Sequence, residues 1–453
     1  MSTAAGLAGQ RAVVMGLGLF GGGAATTRFL AARGASVLVT DTRDRQTLAT
    51  ALAQLEGTPF QARLGEHRES DFTHADLVVV NPAVAPSNRF VCAAREAGAT
   101  ITSEFELMLE SCPAPVALIS GTQGKSSCAN FLAQLLAQAG RQVWLGGNIG
   151  RSLLDDLDAI ESRDFVVAEV SSYQLESLPL RPFSAVQCAA LVNVLSDHLE
   201  RHGDWAGYAA AKARLISLLP AGGTLVLPNE LAETDPFRQA LRADLVIRRL
   251  GGAQASTHWR DERFVLEGRN LAPVSDLKVL GDFQRDNLLT ALSLARAMGS
   301  THGHLTEGIV KLEGLPHRLE DLGLYKGVRV IDNGVCTTPD SALSALGSIP
   351  SGSVLLVGGQ AKRGLPFDEL AAACARHTAK VIAFGASAPD LARTFAAAGV
   401  QVQATRSLEG AVQAAYAEPI RGGVLLFSPA CASFDAYANF RARAEAFRRM
   451  LPA

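Results

Sequence analysis

Short β-branched runs alternate with Ala/Leu-rich stretches of helical pattern along the whole chain, and this rhythm limits the folds open to it. The runs are Arg11–Met15, Ser36–Thr40, Leu77–Val80, Val116–Ser120, Phe165–Val170, Val354–Val357, Val381–Phe384 and Val424–Phe427. Strand, helix, strand is the βαβ unit, so the expectation is an α/β protein with parallel sheets. Composition breaks near Ser103–Pro115 and Gly314–Pro316 suggest borders, and 453 residues allow two or three globular units at about 150 residues each. Three α/β domains in series are expected: 1–103, 104–313 and 314–453.

Composition narrows the class. Apolar residues make up 48% and charged residues 19% of the chain, the balance of a packed globular protein. Lys and Arg total 42 against 44 Asp and Glu, for a net charge of −2, which argues against broad electrostatic binding to nucleic acid. The longest uncharged run, Ser341–Ala361, contains Pro350 and several Gly and Ser, so no membrane helix is expected. Met1–Gln10 has no basic residue and leads straight into a strand-like segment, unlike a secretory signal. Seven cysteines without a Cys-x-x-Cys pair suit a reducing cytoplasm.

Two glycine loops join a strand to a helix. In the first, Gly16, Gly18 and Gly21 follow the strand Arg11–Met15, and Asp41 ends the next strand. Glycine lets a backbone approach a diphosphate, and a strand-end carboxylate can take a ribose hydroxyl; a tight turn that binds nothing has the same pattern. The second reads Ser-Gly-Thr-Gln-Gly-Lys-Ser-Ser and supplies Gly121, Gly124, Lys125 and Ser126. A lysine and a hydroxyl at a helix start suit nucleotide phosphates and Mg²⁺, although Ile119 stands where the full P-loop pattern has glycine.

Two further residues stand out near that second loop. Glu169 lies near the end of an apolar strand, where a carboxylate either reaches solvent or is paired or metal-bound; with Ser126 it would complete a Mg²⁺ site. Lys212 falls on the apolar stripe of an expected helix Trp205–Leu219, one turn after Tyr208. It either snorkels to water or is a desolvated amine of lowered pKa able to take up CO₂ as a carbamate and ligate Mg²⁺. His198, after another apolar strand, would share that ion or be structural.

Together these segments resemble the Mur ligases, the ATP-dependent amino-acid-adding enzymes of peptidoglycan precursor synthesis. Carrying the resemblance are Gly121–Ser126, Gly146-Gly147-Asn148-Ile149-Gly150, Glu169–Glu176, Asn193–His198, Tyr208–Lys212, Gly314-Leu-Pro-His-Arg318 and Ser428–Asp435, in the family's order over nearly the whole chain. Ser428–Asp435 followed by Asn439-Phe440, with Asp41-Thr42-Arg43, looks most like the D-glutamate-adding members, and the Asp-Asn-Pro-Arg signature of the diaminopimelate- or lysine-adding members is absent. The resemblance implies a nucleotide-binding-like first domain that holds the UDP of UDP-N-acetylmuramoyl-L-alanine, a central P-loop ATPase-like domain and a dinucleotide-fold-like third domain.

Carried over by position, Lys125, Glu169, His198 and Lys212 would be catalytic. ATP would meet Gly121, Thr122, Gly124, Lys125, Ser126, Ser127, Asn287, Arg318, Asp332 and Asn333. The UDP substrate would meet Gly18, Leu19, Phe20, Asp41, Thr42, Arg43, Asn81 and Asn148, and the incoming glutamate Thr337, Lys362, Ser433 and Phe440. Ser126 and Glu169 would hold one Mg²⁺, and His198 with carbamylated Lys212 a second. The chain departs from the family at Gly281–Asn287, beside the adenine, and at Asp332–Thr337. The implied reaction activates the L-alanine carboxylate as an acyl phosphate, which the amino group of D-glutamate attacks, with domain closure on substrate binding. The implied setting is a cytoplasmic monomer acting on small molecules, without nucleic acid or membrane partners. Rival readings are a nicotinamide oxidoreductase, a non-catalytic nucleotide-binding homologue, and a ligase that uses L-glutamate or another amino acid.

Overall fold

A computed structural model describes residues 6–251, 255, 257–260, 262–420 and 423–452; residues 1–5 of the Met1–Gln10 segment lie outside them. The first sheet holds β1 (Arg11–Met15), β2 (Ser36–Asp41), β3 (Gln61–Leu64), β4 (Leu77–Val80) and β5 (Thr100–Thr102) in the order β3-β2-β1-β4-β5, all parallel. The order reverses between β1 and β4, and the loops after these two strands therefore flank one crevice at the carboxyl edge of the sheet.

The second sheet is built from β6 (Val116–Ser120), β7 (Val143–Gly147), β8 (Phe165–Glu169), β9 (Val186–Leu191), β10 (Thr224–Pro228) and β11 (Val246–Leu250), ordered β11-β10-β9-β6-β8-β7. Its centre is apolar because β6 and β8 are buried along their whole length. Register aligns Ile119 with Glu169, Ser120 with Leu191, and Gly147 with Glu169. Four strand ends, those of β6, β7, β8 and β9, thus open on the same edge.

A small antiparallel sheet follows, from β12 (His258–Arg260), β13 (Arg263–Leu266) and β14 (Arg269–Pro273). The last sheet orders β15 (Glu320–Tyr325), β16 (Val328–Asp332), β17 (Ser353–Gly358), β18 (Thr378–Phe384), β19 (Val402–Ala404) and β20 (Val424–Ala430) as β15-β16-β20-β17-β18-β19. It is parallel except where β15 meets β16. These two places add antiparallel pairing to the parallel sheets that were expected. The strands there are short, with Arg in β12, β13 and β14 and Glu and Asp in β15, and a search for β-branched runs passes over them. The expected helix Trp205–Leu219 is corrected: the α-helix ends at Ala213 and continues as a tighter turn over Arg214–Leu218.

The described helices include none long and apolar enough to cross a membrane. Two compact units emerge from the contacts, Met1–Asp276 with Asp286–Lys311, and Leu277–Arg285 with Leu312–Ala453. The first unit contains two large sheets because one apolar cluster runs from Val14 and Val39 through Phe105 and Met108 to Leu118 and Val166. The helix Glu104–Ser111, which joins the sheets, is part of that core.

Gly23 is the close-approach glycine of the first loop. A Cβ there would lie 2.3 Å from the Leu17 carbonyl oxygen, whereas one at Gly22 would meet nothing within 4 Å. Gly23→Ala is therefore expected to lose about 1–3 kcal/mol through overpacking, and Gly22→Ala to stay within about 0.5 kcal/mol of wild type. Urea unfolding of the two variants checks this; equal stabilities would refute it.

Candidate active site

The loop after β6 turns into the helix Lys125–Gln138 through two glycines in the positive-φ region, Gly121 at +150° and Gly124 at +83°. A Cβ on Gly124 would sit 2.2 Å from Asn287 Oδ1, so the loop closes only because that position has no side chain. Asn193, just past β9, fastens the other side. Its Oδ1 accepts from Gln123 N at 2.9 Å and Thr122 N at 3.2 Å, and its Nδ2 donates to Gln123 O at 3.0 Å. Thr122 Oγ1 lies 3.1 Å from the Tyr208 hydroxyl and accepts from Leu195 N at 2.9 Å. The result is a rigid turn at a long helix N-terminus, where backbone N–H groups favour phosphate.

Glu169 is buried at the end of β8 with both oxygens engaged. Ser126 Oγ donates to Oε2 at 2.7 Å and Asn148 Nδ2 to Oε1 at 2.8 Å. The alternative in which this carboxylate merely reaches solvent is excluded by its 2% exposure. Gly147 permits the approach, since a Cβ there would lie 2.3 Å from the Glu169 carbonyl oxygen. A carboxylate and a serine hydroxyl beside a phosphate loop form an oxygen donor set suited to Mg²⁺. Ser127, next along the helix, is buried at 3% exposure.

Lys212 does not snorkel: it is 1% exposed. Its Nζ donates to Gly121 O at 2.8 Å and lies 4.7 Å from the centre of the Tyr208 ring. Lys125 Nζ donates to the same Gly121 oxygen at 3.0 Å and to Thr122 O at 2.9 Å. Burial first, and the nearby Lys125 charge second, push the Lys212 amine down to about 7. His198 is exposed and held in the left-handed region at φ 53°. Its ring packs edge-on against Tyr173 at 5.2 Å, with Asp197 at 3.6 Å and Glu200 at 3.5 Å. His198 and Lys212 line one cavity of about 340 Å³ with Lys125, Asn148, Tyr173 and Tyr208, closed on one side by Pro82 and Ala83. A larger cleft of about 500 Å³ sits among loops such as Pro113–Pro115 and Pro220–Gly223 and is lined without any charged side chain; it offers no convergent chemistry.

In the first sheet, Asp41 ties the glycine loop to the end of β2. Its Oδ2 accepts from Gly18 N at 3.2 Å and its Oδ1 from Arg43 N at 2.9 Å. Asn81 follows β4 and donates to Gly16 O at 3.4 Å. Leu19 and Phe20 are 50% and 95% exposed, and Thr42 and Arg43 are exposed too. Gly18, Asp41 and Asn81 thus meet at the crevice, whereas Asn148 belongs with Glu169.

In the second unit, Asp332 is fully buried. Its Oδ2 accepts from Arg448 Nε at 2.8 Å and lies 2.7 Å from His317 Nδ1, and its Oδ1 accepts from Gly334 N at 2.8 Å. Glu320 shares Arg448 with it, so both carboxylates of the cluster His317, Glu320, Asp332 are paired with the same guanidinium. Asn333 donates to Ser428 Oγ at 3.0 Å, and Arg318 is half-buried in the turn before β15. Thr337, Lys362 and Ser433 follow β16, β17 and β20, and Phe440 opens the helix Phe440–Met450.

Arg443, unremarked in the sequence, joins these loops. It is fully buried, and its guanidinium donates to the carbonyls of Cys431 at 2.9 Å, Gly358, Ala432 and Cys336 at 3.3 Å, and Gly334 at 3.4 Å. Asn193 and Tyr208 entered the sequence reading only as members of longer segments, without the bonding roles seen here, and Gly23 and Arg443 were not singled out at all.

Residues 10–103 match the family described as Mur ligase MurD-like, N-terminal domain, and residues 119–295 match the Mur ligase middle domain. The chain is 34% identical to a UDP-N-acetylmuramoylalanine--D-glutamate ligase of Roseiflexus sp. (strain RS-1), over 98% of this chain and 99% of that one. It is 32% identical to the ligase of that name from Geotalea uraniireducens, over 97% and 96%. Among solved structures, MurC of Thermotoga maritima aligns over 97% of this chain and 98% of its own at 17% identity and a TM-score of 0.60. MurF of the same organism in complex with ADP aligns over 99% and 98% at 16% identity and a TM-score of 0.60. These structures share the fold.

The pH behaviour of Lys212 is testable. With its folded pKa lowered, the folded chain releases a proton that the unfolded chain keeps between about pH 7 and the ordinary lysine range, so stability rises with pH across that window. Lys212→Met leaves Gly121 O paired with Lys125. The variant is expected to be more stable than wild type at pH 6, with the gap closing by about pH 10. Urea unfolding in CO₂-free buffer measures it, and a gap that does not vary with pH would overturn the assignment.

Proposed function

The chain belongs to the Mur ligase family, and on that premise we propose that it joins D-glutamate to UDP-N-acetylmuramoyl-L-alanine at the expense of ATP, in peptidoglycan precursor synthesis. Full-length similarity to ligases of that name carries the reading. The glycine loop, Glu169 and Lys212 meeting at one edge of the second sheet supply the machinery for it.

The carboxylate of the L-alanine residue attacks the γ-phosphorus of ATP, ADP leaves, and an acyl phosphate forms. The amine of D-glutamate then attacks the acyl carbon, phosphate leaves, and the nitrogen loses a proton. Without phosphorylation the leaving group would be oxide, and this explains the need for ATP. The Gly121–Lys125 loop holds the phosphates, and the Lys125 ammonium offsets charge on the transferring group. Ser126 and Glu169 would hold one Mg²⁺; His198 and Lys212, the latter as a carbamate, would hold a second. Bound there, Mg²⁺ supplies charge neutralisation at the phosphoryl oxygens. In its neutral form the Lys212 amine would add CO₂ and release one proton, giving an anionic carbamate able to offer an oxygen ligand.

In this reading residues 1–103 hold the UDP portion, 104–313 ATP and 314–453 the amino acid. Gly18, Leu19, Phe20, Asp41, Thr42, Arg43 and Asn81 serve the first, with Asn148 reaching the sugar side. Asn287, Arg318 and Asn333 are assigned to ATP; Asp332, also expected there, is fully buried with both oxygens bonded within its own unit. Thr337, Lys362, Ser433 and Phe440 are assigned to D-glutamate. The chain works as a cytoplasmic monomer.

Phosphate release with ATP, Mg²⁺ and UDP-N-acetylmuramoyl-L-alanine is expected with D-glutamate and not with L-glutamate. Glu169→Gln is expected to lower kcat on the order of 10–100-fold or more. Silence of a folded wild type with every amino acid would overturn the reading.

A further inference from the structure

Arg201 sits between two groups of residues that the reaction must bring together. It belongs to the short helix Leu199–His202 that starts at His198, and its side chain is 14% exposed. Nη1 donates to Ala83 O and Nη2 to Val84 O, each at 3.3 Å. Nε donates to Glu176 Oε2 at 2.9 Å, and the guanidinium carbon lies 5.2 Å from the centre of the Tyr173 ring. Glu176 and Tyr173 lie on the helix Ser172–Ser177, which follows β8 and therefore Glu169.

The carbonyls that Arg201 grips belong to the segment after β4. Asn81 Oδ1 accepts from Ala83 N at 3.0 Å, Val84 N donates to Asn81 O at 2.9 Å, and Asn81 Nδ2 donates to Gly16 O. Continuous hydrogen bonds therefore run from the first glycine loop, through Asn81 and the Ala83–Val84 carbonyls, to Arg201. From there Arg201 N reaches His198 O at 3.1 Å. Pro82 and Ala83 form one wall of the cavity that His198 and Lys212 line. The Arg201 guanidinium thus sets the position of a wall of the reaction cavity relative to the helix that carries His198.

Resting on the function proposed above, we propose that Arg201 is a positioning residue that couples occupation of the UDP-substrate crevice to nucleotide bound at the Gly121–Lys125 loop. A planar guanidinium holding two successive carbonyls and a carboxylate fixes orientation in a way a point charge does not. A small misplacement of reacting groups costs far more in rate than in binding.

The test is a double-ligand cycle. The dissociation constant of UDP-N-acetylmuramoyl-L-alanine is measured by calorimetry with and without a non-hydrolysable ATP analogue and Mg²⁺, for wild type, Arg201→Ala and Arg201→Lys. Reciprocal coupling makes the ratio of the two constants differ from one in wild type. In Arg201→Ala the ratio is expected to fall to about one, with kcat reduced on the order of tenfold or more and the analogue's own affinity within about twofold of wild type. Arg201→Lys, which keeps the charge beside Glu176 and can still reach a carbonyl, is expected to recover part of the ratio.

A general folding defect would instead weaken the analogue and lower the melting temperature together. That result, a wild-type ratio of one, or an unchanged ratio in Arg201→Ala would each overturn the proposal. Failure of the underlying function is separate, since wild type would then release no phosphate with D-glutamate.

Discussion

The carbonyl oxygen of Gly121 accepts from both Lys125 Nζ and Lys212 Nζ, and the centre of the first unit is arranged around that shared acceptor. Two ammonium groups so close repel, and the deeper one gives way: Lys212 is pushed down to about 7, with Lys125 named among the causes after burial. The carbonyl points inward because Gly121 adopts φ +150°. A Cβ there would press on Asn193 within 3.1–3.2 Å. The turn thus presents one acceptor to two amines and brings the Lys125 charge close to the buried Lys212.

Strand order converts this turn into a site. Because β8 and β9 lie on either side of β6, Glu169 and Asn193 arrive at the same edge from opposite directions. One takes the hydroxyl of Ser126, and the other takes the amides of Thr122 and Gln123. Burying the Glu169 carboxylate would be costly alone; two donors, from Ser126 and Asn148, offset that cost and fix the positions of both oxygens.

Arginines holding backbone carbonyls recur in both units. Arg443 gathers the ends of β16, β17 and β20 through five carbonyls, and Arg201 gathers the segment after β4. Arg214 does the same for Leu175 O and Leu178 O. A guanidinium presents several donors in a fixed fork and stays charged when buried, so it can lock loops that no regular ladder connects. Arg443 does so without a carboxylate partner among these contacts, leaving a cation beneath the strand ends that carry Thr337, Lys362 and Ser433.

Local sequence determined the α/β class, the positions of most central strands and the two glycine loops, because apolar β-branched runs and glycine turns encode their conformation within a few residues. It also marked Lys125, Ser126, Glu169 and Lys212, each anomalous for its surroundings. The hairpin strands β12–β15 escaped because charged residues interrupt their pattern. The roles of Asn193, Arg201 and Arg443 escaped because each depends on a carbonyl or an amide far away in the chain. Whether Lys212 reaches water or is sealed against Gly121 was equally open in one dimension. Only the packing of Tyr208 and the β6 turn around it, a matter of tertiary distance and burial, decided that.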